Sequence, residues 1–364
     1  MKIVLVTSLD RGGPIEQSLL LARSLSLGGD SVLVTCANRQ LAERFAVDGV
    51  RAEVAPLRHQ GDLRGAARVW RLARGADVVH AHDRRAGLWT RIGPRPRRGG
   101  ARVYTVHGTP EPYHPPPVGP ERPGLKATLL YRGLDARLCV RTDAVVVPSQ
   151  FVARDLVERL GYPAHKLTVI PNGIVLPPPP FAPSKGDLIG TLSLLEPVKG
   201  IEIFLRAVAE LAPRHPDWRF VMFGDGTSRK QLLRLARELG IEDRVEHPGF
   251  VPSAEALARM RIFVLCSYRE NAPMGLLEAM AVGVPAVATS VAGVPEIADP
   301  DVAQMIPPGD PKALASAIER LCNDDAMRDA QIHAARRRVE ESFTAERNAS
   351  AIRSLYERLL KVSR

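Results

Sequence analysis

Short, continuously apolar segments alternate along this sequence with longer segments in which apolar residues recur at helical spacing. The first short segment is Ile3–Val6; a polar turn containing Gly12 and Gly13 follows it, and then a helical pattern over residues 14–27. Strands that are apolar throughout and alternate with helices are typical of parallel sheets covered on both faces. The sequence therefore predicts an α/β fold.

The same alternation continues to residue 176. We predict further helices over residues 62–74 and 149–160, and further strands at Val32–Thr35, Val78–His80, Val103–Val106, Val145–Val147 and Leu167–Ile170. Residues 1–176 are therefore predicted to form a first Rossmann-like domain.

A cluster of prolines interrupts the alternation after Leu176 and predicts a semi-rigid linker over residues 177–184, because proline continues neither a helix nor a central strand. The pattern then restarts and predicts a second Rossmann-like domain over residues 185–343. Its predicted helices cover residues 200–211, 228–239, 253–260 and 273–282, and its predicted strands are Asp187–Leu192, Phe220–Phe223, Val245–His247, Ile262–Cys266 and Val284–Ala288. Such domains bind ligands at the carboxyl ends of their strands, so we expect the site in a cleft between the two.

Composition excludes several classes of protein. The chain has 364 residues, of which 45% are hydrophobic and 25% charged, and this excludes a disordered chain or a disulfide scaffold. Its four cysteines form no C-x-x-C pair, so neither a zinc site nor a redox motif is predicted. The apolar run at the start is too short for a signal peptide, and no run approaches the roughly 20 residues of a membrane span. We expect a cytoplasmic protein, with at most peripheral contact at the inner face of the plasma membrane.

Positive charge is concentrated in the first half of the chain. The formal net charge is +10, with 26 Lys and Arg against 15 Asp and Glu in residues 1–180, and 24 against 25 in the rest. This excess points to an anionic acceptor or an anionic membrane surface, or else to a solvated, arginine-rich exterior. Nucleic acid is not an expected partner, because aromatic residues make up only 5% of the chain and no nucleic-acid-binding motif is present.

Two carboxylates, Glu270 and Glu278, lie around the start of a predicted helix. Asn271 is the predicted N-cap, Pro273 suits the first turn, and Gly283 is a natural stop. Carboxylates accept hydrogen bonds from sugar hydroxyls, and the free N–H groups of a helix N-terminus bind phosphate. A nucleotide-sugar carries both groups; alternatively, the glutamates simply favour the helix dipole.

Other loops after predicted strands carry weaker signals. Lys199 lies before the first helix of the second half, where it could neutralise a diphosphate, although a lone lysine there is usually only solvated. The loop around Gly293 offers backbone N–H groups to phosphate, or is an ordinary turn. Gly12 and Gly13 allow close approach of a ligand but lack the third glycine of a dinucleotide fingerprint.

Histidines end two successive predicted strands. His107, before Gly108, is the stronger functional candidate. His80 and His82 share a strand face and could form a metal pair, but no third ligand is evident and no metal site is predicted. The pattern Asp299-Pro-Asp301 follows a helix rather than a strand, and we discount it as a metal motif.

Taken together and in order, these segments resemble the retaining glycosyltransferases of family 4, which have the GT-B fold of two Rossmann-like parallel-sheet domains facing across a cleft. The resemblance covers nearly the whole chain and rests on Arg11–Gly13, Asp77–His82, Thr105–Gly108, Val169–Ile174, Pro197–Gly200, Phe223–Gly226, Pro248–Val251, the E-x7-E element Glu270–Glu278, and Gly293–Glu296.

The resemblance implies a role for each matching residue. Glu270 would contact hydroxyls of the donor sugar, Glu278 would hold the ribose hydroxyls, and Lys199 would bind the diphosphate. His107 would touch the sugar or the acceptor near the reacting centre. Backbone groups of Gly12, Gly13, Met274, Gly275 and Leu276 would line the donor phosphate and sugar.

The resemblance also implies a reaction. The donor would be a UDP-sugar or a GDP-sugar, the hexosyl group would keep its anomeric configuration, and neither metal nor cofactor would be required. The acceptor would be a lipid-linked glycan or a small metabolite bound by the first domain. The C-terminal helix, residues 344–364, would cross back onto that domain.

Leu194 departs from the family pattern, which commonly has an arginine five residues before the lysine. Loss of a bidentate phosphate donor weakens transition-state stabilisation unless another residue, such as Arg269, replaces it. Leu194 therefore keeps open a non-catalytic sugar-nucleotide-binding partner or sensor. A GT-B epimerase or phosphorylase is a lesser alternative, since no extra cleft carboxylates or cofactor lysine are evident.

Overall fold

The computed structural model describes residues 1–10, 12–108, 133–178 and 183–362. These residues form two compact units: one contains the described residues up to Val175 together with those from Phe343 onward, and the other contains those from Leu176 to Ser342. Arg11, residues 109–132, residues 179–182 of the predicted linker and the last two residues lie outside the described residues.

The first unit is built on a seven-stranded sheet in which every pair of strands is parallel. The strand order is β3-β2-β1-β4-β5-β6-β7. Its strands are β1 (Lys2–Val6), β2 (Ser31–Cys36), β3 (Arg51–Val54), β4 (Val78–Ala81), β5 (Ala101–Thr105), β6 (Ala144–Val147) and β7 (Leu167–Val169). The helices along this part of the chain are α1 (Gly13–Leu27), α2 (Arg39–Val47), α3 (Leu63–Ala73), α4 (Arg84–Ile92) and α5 (Gln150–Leu160).

The second unit contains a six-stranded parallel sheet with the order β10-β9-β8-β11-β12-β13. Its strands are β8 (Leu188–Leu192), β9 (Arg219–Phe223), β10 (Val245–Gly249), β11 (Met260–Leu265), β12 (Ala286–Thr289) and β13 (Gln304–Ile306). Its helices are α6 (Ile201–Leu211), α7 (Arg229–Glu238), α8 (Ser253–Ala258), α9 (Met274–Ala281), α10 (Pro311–Asn323) and α11 (Asp325–Ser342).

The last helix, α12 (Ala345–Val362), belongs to the first unit. Ala349, Ile352, Leu355 and Tyr356 are buried in the same apolar cluster as the inner faces of α1 and β1. The chain enters α12 after a short bridge in which the N–H of Ile174 donates to the carbonyl of Phe343 at 2.9 Å. This bridge fixes where the helix begins.

Most of the predicted strands are present in the structure. They could be recognised because a strand that is buried on both faces is apolar throughout. The edge strands β3 and β13 were missed, since β3 is only partly buried and neither strand has more than four residues. The helices α2 and α4 were missed too. Helix α4 contains Gly87, where any side chain would come within 2.7 Å of the Tyr104 ring, so close packing overrides a weak helical pattern there.

No helix among the described residues is long and apolar enough to span a bilayer.

The turn after β9 approaches the loop after β8 so closely that it requires glycine. Gly224 has φ +127°, and a Cβ there would lie 1.8 Å from the carbonyl oxygen of Ser193. Gly240 also has a positive φ, +67°, but a Cβ there would meet no atom within 4 Å. Substitution of Gly240 by alanine therefore introduces backbone strain alone, whereas the same substitution at Gly224 adds a steric clash to the strain.

We predict that Gly224→Ala lowers stability by about 3 kcal/mol or more, because it adds a clash to the strain of a positive φ. Gly240→Ala, the matched control, should cost only about 1 kcal/mol. Urea unfolding measures the free energy of unfolding of both variants. Equal losses in the two variants would show that the backbone around Ser193 moves away from a side chain at position 224 at no cost.

Candidate functional site

An ion pair lies beyond the carboxyl ends of the strands in the second unit. The Nζ atom of Lys199 is 2.7 Å from Oε1 of Glu270, and the hydroxyl of Ser267 donates to the same oxygen at 2.7 Å. Glu270 is only 7% exposed. The two predicted residues are thus brought together, and Ser267 is a partner that sequence analysis did not identify.

Backbone hydrogen bonds hold the loops that carry this pair. The N–H of Tyr268 donates to the carbonyl of Val198 at 2.9 Å, and the N–H of Gly293 donates to the carbonyl of Glu270 at 2.8 Å. Gly200 has φ +62°, and a Cβ there would lie 2.2 Å from the carbonyl of Cys266. Backbone hydrogen bonds therefore connect the loops after β8, β11 and β12 and hold the backbone segments that carry the Lys199 and Glu270 side chains.

Helix α9 begins directly after these loops. The structure corrects the predicted cap: Pro273, not Asn271, is the N-cap residue, and no side chain caps the helix. N–H groups in a first helical turn have no acceptor within the helix. The turn carries Met274, Gly275 and Leu276, and Glu278, which is partly buried, lies on the next turn.

Several buried polar atoms near this edge have no hydrogen-bond partner among the described residues. They are the hydroxyls of Thr191 and Ser193 and the amide oxygen of Asn271. Buried polar groups are normally paired, so these atoms are suited to contact a polar ligand. Leu194 lies in the same loop as Ser193 and is 47% exposed. This apolar side chain occupies the position at which the family pattern commonly has arginine.

In the first unit the predicted histidines form a stack. The ring centroids of His80 and His82 are 4.2 Å apart, and those of His82 and His107 are 5.6 Å apart. Nδ1 of His82 is 3.3 Å from Nε2 of His107. His82, which the sequence offered only as a possible metal ligand, is therefore the direct neighbour of the functional candidate.

His80 fixes the base of this stack. Its Nδ1 lies 2.5 Å from the hydroxyl of Tyr356 on α12, and its Nε2 lies 2.6 Å from the hydroxyl of Thr105. Both ring nitrogens are thus engaged by hydroxyls. No group of three or more potential metal ligands occurs in the described ranges, and Asp299 of the discounted D-x-D pattern pairs with Arg338 at 2.6 Å.

Burial keeps these histidines neutral. It lowers the pKa of His80 to about 3, with a smaller contribution from His107, and lowers the pKa of His107 to about 4. The pKa of His82 is also well below its ordinary value, because of burial and then of the neighbouring histidines. At neutral pH His107 is a hydrogen-bonding group rather than a cation.

A cavity of about 380 Å³ opens beside His107. Its wall includes His82, Pro14 at the start of α1, and Leu88. Gly12, with φ +96°, a conformation that favours glycine, is the N-cap of α1, and Gly13 is the first residue of that helix. The two glycines directly precede Pro14 in the chain, and of the predicted site residues of the first unit it is His107 that lines the cavity.

The basic residues that line this cavity are largely occupied. Nε of Arg84 is 2.7 Å from Asp135, whose other oxygen pairs with the buried Arg91 at 2.5 Å. Arg85 donates to the carbonyls of Leu57 and Arg58. The positive surplus of the first half is thus not concentrated in this cavity.

Known protein families match both units. The family described as "Glycosyltransferase Family 4" matches residues 13–176, and the family described as "Glycosyl transferases group 1" matches residues 177–338. The chain belongs to the family 4 glycosyltransferases.

Individual relatives agree with this assignment. The chain is 38% identical over 194 residues to the exopolysaccharide phosphotransferase SCO2592 of Streptomyces coelicolor, covering 51% of this chain and 20% of that protein. It is 30% identical over 204 residues to the putative colanic acid biosynthesis glycosyltransferase WcaL of Escherichia coli, covering 52% of this chain and 50% of WcaL. The chain thus spans at most about half the length of these relatives.

Solved structures show the fold of this family 4 glycosyltransferase. Anabaena Alr3699/HepE in complex with UDP-glucose aligns with a TM-score of 0.81 and 22% identity, covering 98% of this chain and 99% of that one. With its two parallel-sheet α/β units, the chain has the predicted GT-B fold.

The neutral histidine stack predicts a pH dependence of stability. Because the folded pKa of His107 is lowered, the unfolded chain binds more protons between about pH 6.5 and pH 4, and stability falls as pH falls through this window. His107→Gln should remove about 1.4 kcal/mol per pH unit from that slope. His165→Gln, at an exposed histidine, is the control and should leave it unchanged. Urea unfolding between pH 7 and pH 4.5 measures both, and the same slope in all three proteins would contradict a partly buried, neutral His107.

Proposed function

We propose that this chain is a retaining glycosyltransferase that moves a hexosyl group from a nucleotide-sugar to an acceptor. The observation that carries the proposal is the ion pair between Lys199 and Glu270, in which Glu270 lies in the loop that leads into α9. A cation, a buried carboxylate and a helix N-terminus together match the diphosphate and the hydroxyls of a nucleotide-sugar.

The donor we propose is a UDP-sugar or a GDP-sugar bound by the second unit. Glu278 accepts hydrogen bonds from the ribose, Glu270 accepts them from the sugar, and Lys199 neutralises the diphosphate. Backbone N–H groups of Met274, Gly275 and Leu276 bind phosphate and sugar oxygens. The UDP and UDP-glucose complexes of the Anabaena protein support this class of donor.

Transfer proceeds by front-face displacement. The bond between the anomeric carbon and the diphosphate oxygen breaks through an oxocarbenium-like transition state. The acceptor oxygen bonds to the same face, and its proton goes to the departing phosphate oxygen. The charge that develops on that phosphate is stabilised by Lys199 and the α9 N-terminus, so the proposed reaction needs no metal or cofactor.

The acceptor, a lipid-linked glycan or a small metabolite, is proposed to bind the first unit. There His107, neutral and beside the cavity, contacts the sugar or the acceptor hydroxyl, and the loop of Gly12 and Gly13 approaches the donor phosphate and sugar. We further propose that the protein is cytoplasmic and that its basic first unit contacts anionic lipid at the inner face of the plasma membrane.

Leu194 supports a second candidate, a sugar-nucleotide-binding partner or sensor without turnover. Its exposed, apolar side chain offers no donor to the diphosphate. Arg269, directly before Glu270 in the sequence, is the proposed replacement. Turnover of the donor distinguishes the two candidates.

We predict that the chain hydrolyses a UDP- or GDP-sugar slowly without acceptor, and that Glu270→Gln lowers this rate roughly 10–100-fold, because it weakens charged hydrogen bonds to the sugar. Glu255→Gln, at an exposed carboxylate in the first turn of α8, is the matched control and should keep the full rate. Product release is followed by mass spectrometry, and thermal shift with each donor reports binding.

The same experiment separates the alternatives. Donor-induced stabilisation without hydrolysis, in the original chain and in Glu270→Gln alike, would favour the sensor. Hydrolysis that rises sharply in Leu194→Arg would show that the missing arginine limits turnover. No stabilisation by any donor would contradict both candidates.

For membrane contact, we predict that anionic vesicles sediment the protein at low salt and release it at high salt, because screening weakens attraction between exposed charges. Neutral vesicles are the control. Equal recovery with neutral and anionic vesicles would contradict the proposed contact.

A further inference from the structure

A second cavity of the first unit lies at the opposite edge of the sheet from His107. It measures about 320 Å³ and is lined by the end of α3, the segment after α4 and the start of β5. Arg102 is the second residue of β5, whereas His107 follows the end of that strand. The two cavities share no lining residue, and the second has no part in the proposed transfer.

Arginines and no acidic residue line this second cavity. Its charged residues are Arg71, Arg74, Arg95 and Arg102. Arg95 is paired with Asp143, both nitrogen–oxygen distances being 3.1 Å. Arg71 and Arg74 are exposed at the end of α3, and no carboxylate in the described part of the chain lies within 4.0 Å of either. The cavity thus has a surplus of positive charge.

Arg102 is the buried member of the group. It is 4% exposed, donates from its guanidinium to the carbonyls of Gly93 at 2.6 Å and Arg141 at 3.4 Å, and its Nε has no hydrogen-bond partner among the described residues. Burial, followed by the nearby Arg141 and Arg95, lowers the pKa of Arg102 to about 10. A buried cation among other cations is unfavourable unless an anion compensates it.

The carboxylate of Asp143 supplies only part of that compensation. Asp143 accepts the backbone N–H of Arg102 at 2.7 Å and is otherwise occupied by Arg95. Trp70 adds a rigid wall, because its indole N–H donates to the carbonyl of Trp89 at 2.9 Å. The cavity therefore combines shape, positive charge and an unpaired buried N–H.

We propose that this cavity binds a phosphate-bearing anion, separately from any donor diphosphate. Guanidinium groups match phosphate oxygens in geometry and charge, and Arg71 and Arg74 can both contact a ligand that lies beside Arg102 in this cavity. The phosphate could belong to a soluble ion or to a lipid headgroup; the recognising chemistry is the same.

The test compares two double variants of α3 in the full chain. Arg71→Gln/Arg74→Gln removes two cavity cations, and Arg64→Gln/Arg68→Gln removes two exposed cations of the same helix that do not line the cavity. The probes are inorganic phosphate, followed by calorimetry at constant ionic strength, and phosphatidylcholine vesicles with and without phosphatidic acid.

We expect the Arg71/Arg74 variant to weaken binding of at least one probe about tenfold while the control variant binds as the original chain does. Loss of free-phosphate binding identifies a soluble ligand; loss confined to phosphatidic acid vesicles identifies a headgroup. Equal weakening in both variants, or no binding of either probe, overturns the proposal. Donor hydrolysis, which should be unchanged in both variants, reports separately on the proposed transferase activity.

Discussion

Parallel pairing of the strands is the constraint on which both candidate sites depend. When all strands of a sheet run the same way, every loop that leaves a strand's carboxyl end emerges at one edge. The loops after β8, β11 and β12 therefore meet and bring Lys199 to Glu270, although 71 residues separate them in sequence. The loops after β4 and β5 likewise bring His82 to His107.

The ion pair illustrates what such an edge can achieve. A partly buried pair of this kind contributes little net stability, because desolvation offsets most of the Coulomb attraction. The ion pair instead fixes the positions of its two side chains. The hydroxyl of Ser267 donates to the Glu270 oxygen that contacts Lys199, and Gly200 allows the backbone to pack against the carbonyl of Cys266. The Lys199 ammonium and the Glu270 carboxylate are thereby oriented in advance, which lowers the entropy lost when a ligand binds.

Much of the fold could be predicted from the sequence, and the failures have physical reasons. Central strands are apolar throughout because both of their faces are buried, so Ile3–Val6 and Val145–Val147 were recognisable. The edge strand β3 has no such pattern because most of its side chains are only partly buried. Asn271 has the chemistry of an N-cap, yet Pro273 is the N-cap of α9, and the Asn271 amide oxygen is buried with no hydrogen-bond partner among the residues the structure describes.

The candidate site was only partly predictable for a related reason. Residue type and motif order identified Lys199, Glu270 and His107, but Ser267 and Tyr356 act through tertiary contacts that no local pattern records. The contact of Tyr356 with His80 spans 276 residues. It exists because α12 packs on the first core, so the position of the histidine stack depends on the far end of the chain.

Charge shows most clearly how structure changes the interpretation of a sequence. Composition locates a positive surplus in the first half but not on a surface. In the cavity beside His107, Arg84 is paired with Asp135 and Arg85 donates to backbone carbonyls, so little unpaired charge is left for an acceptor. In the second cavity, Arg71 and Arg74 have no carboxylate partner in the part of the chain that the structure describes. The surplus therefore does not require an anionic acceptor, because the first cavity is compatible with an uncharged, hydroxyl-bearing acceptor and the exposed cations line the second cavity.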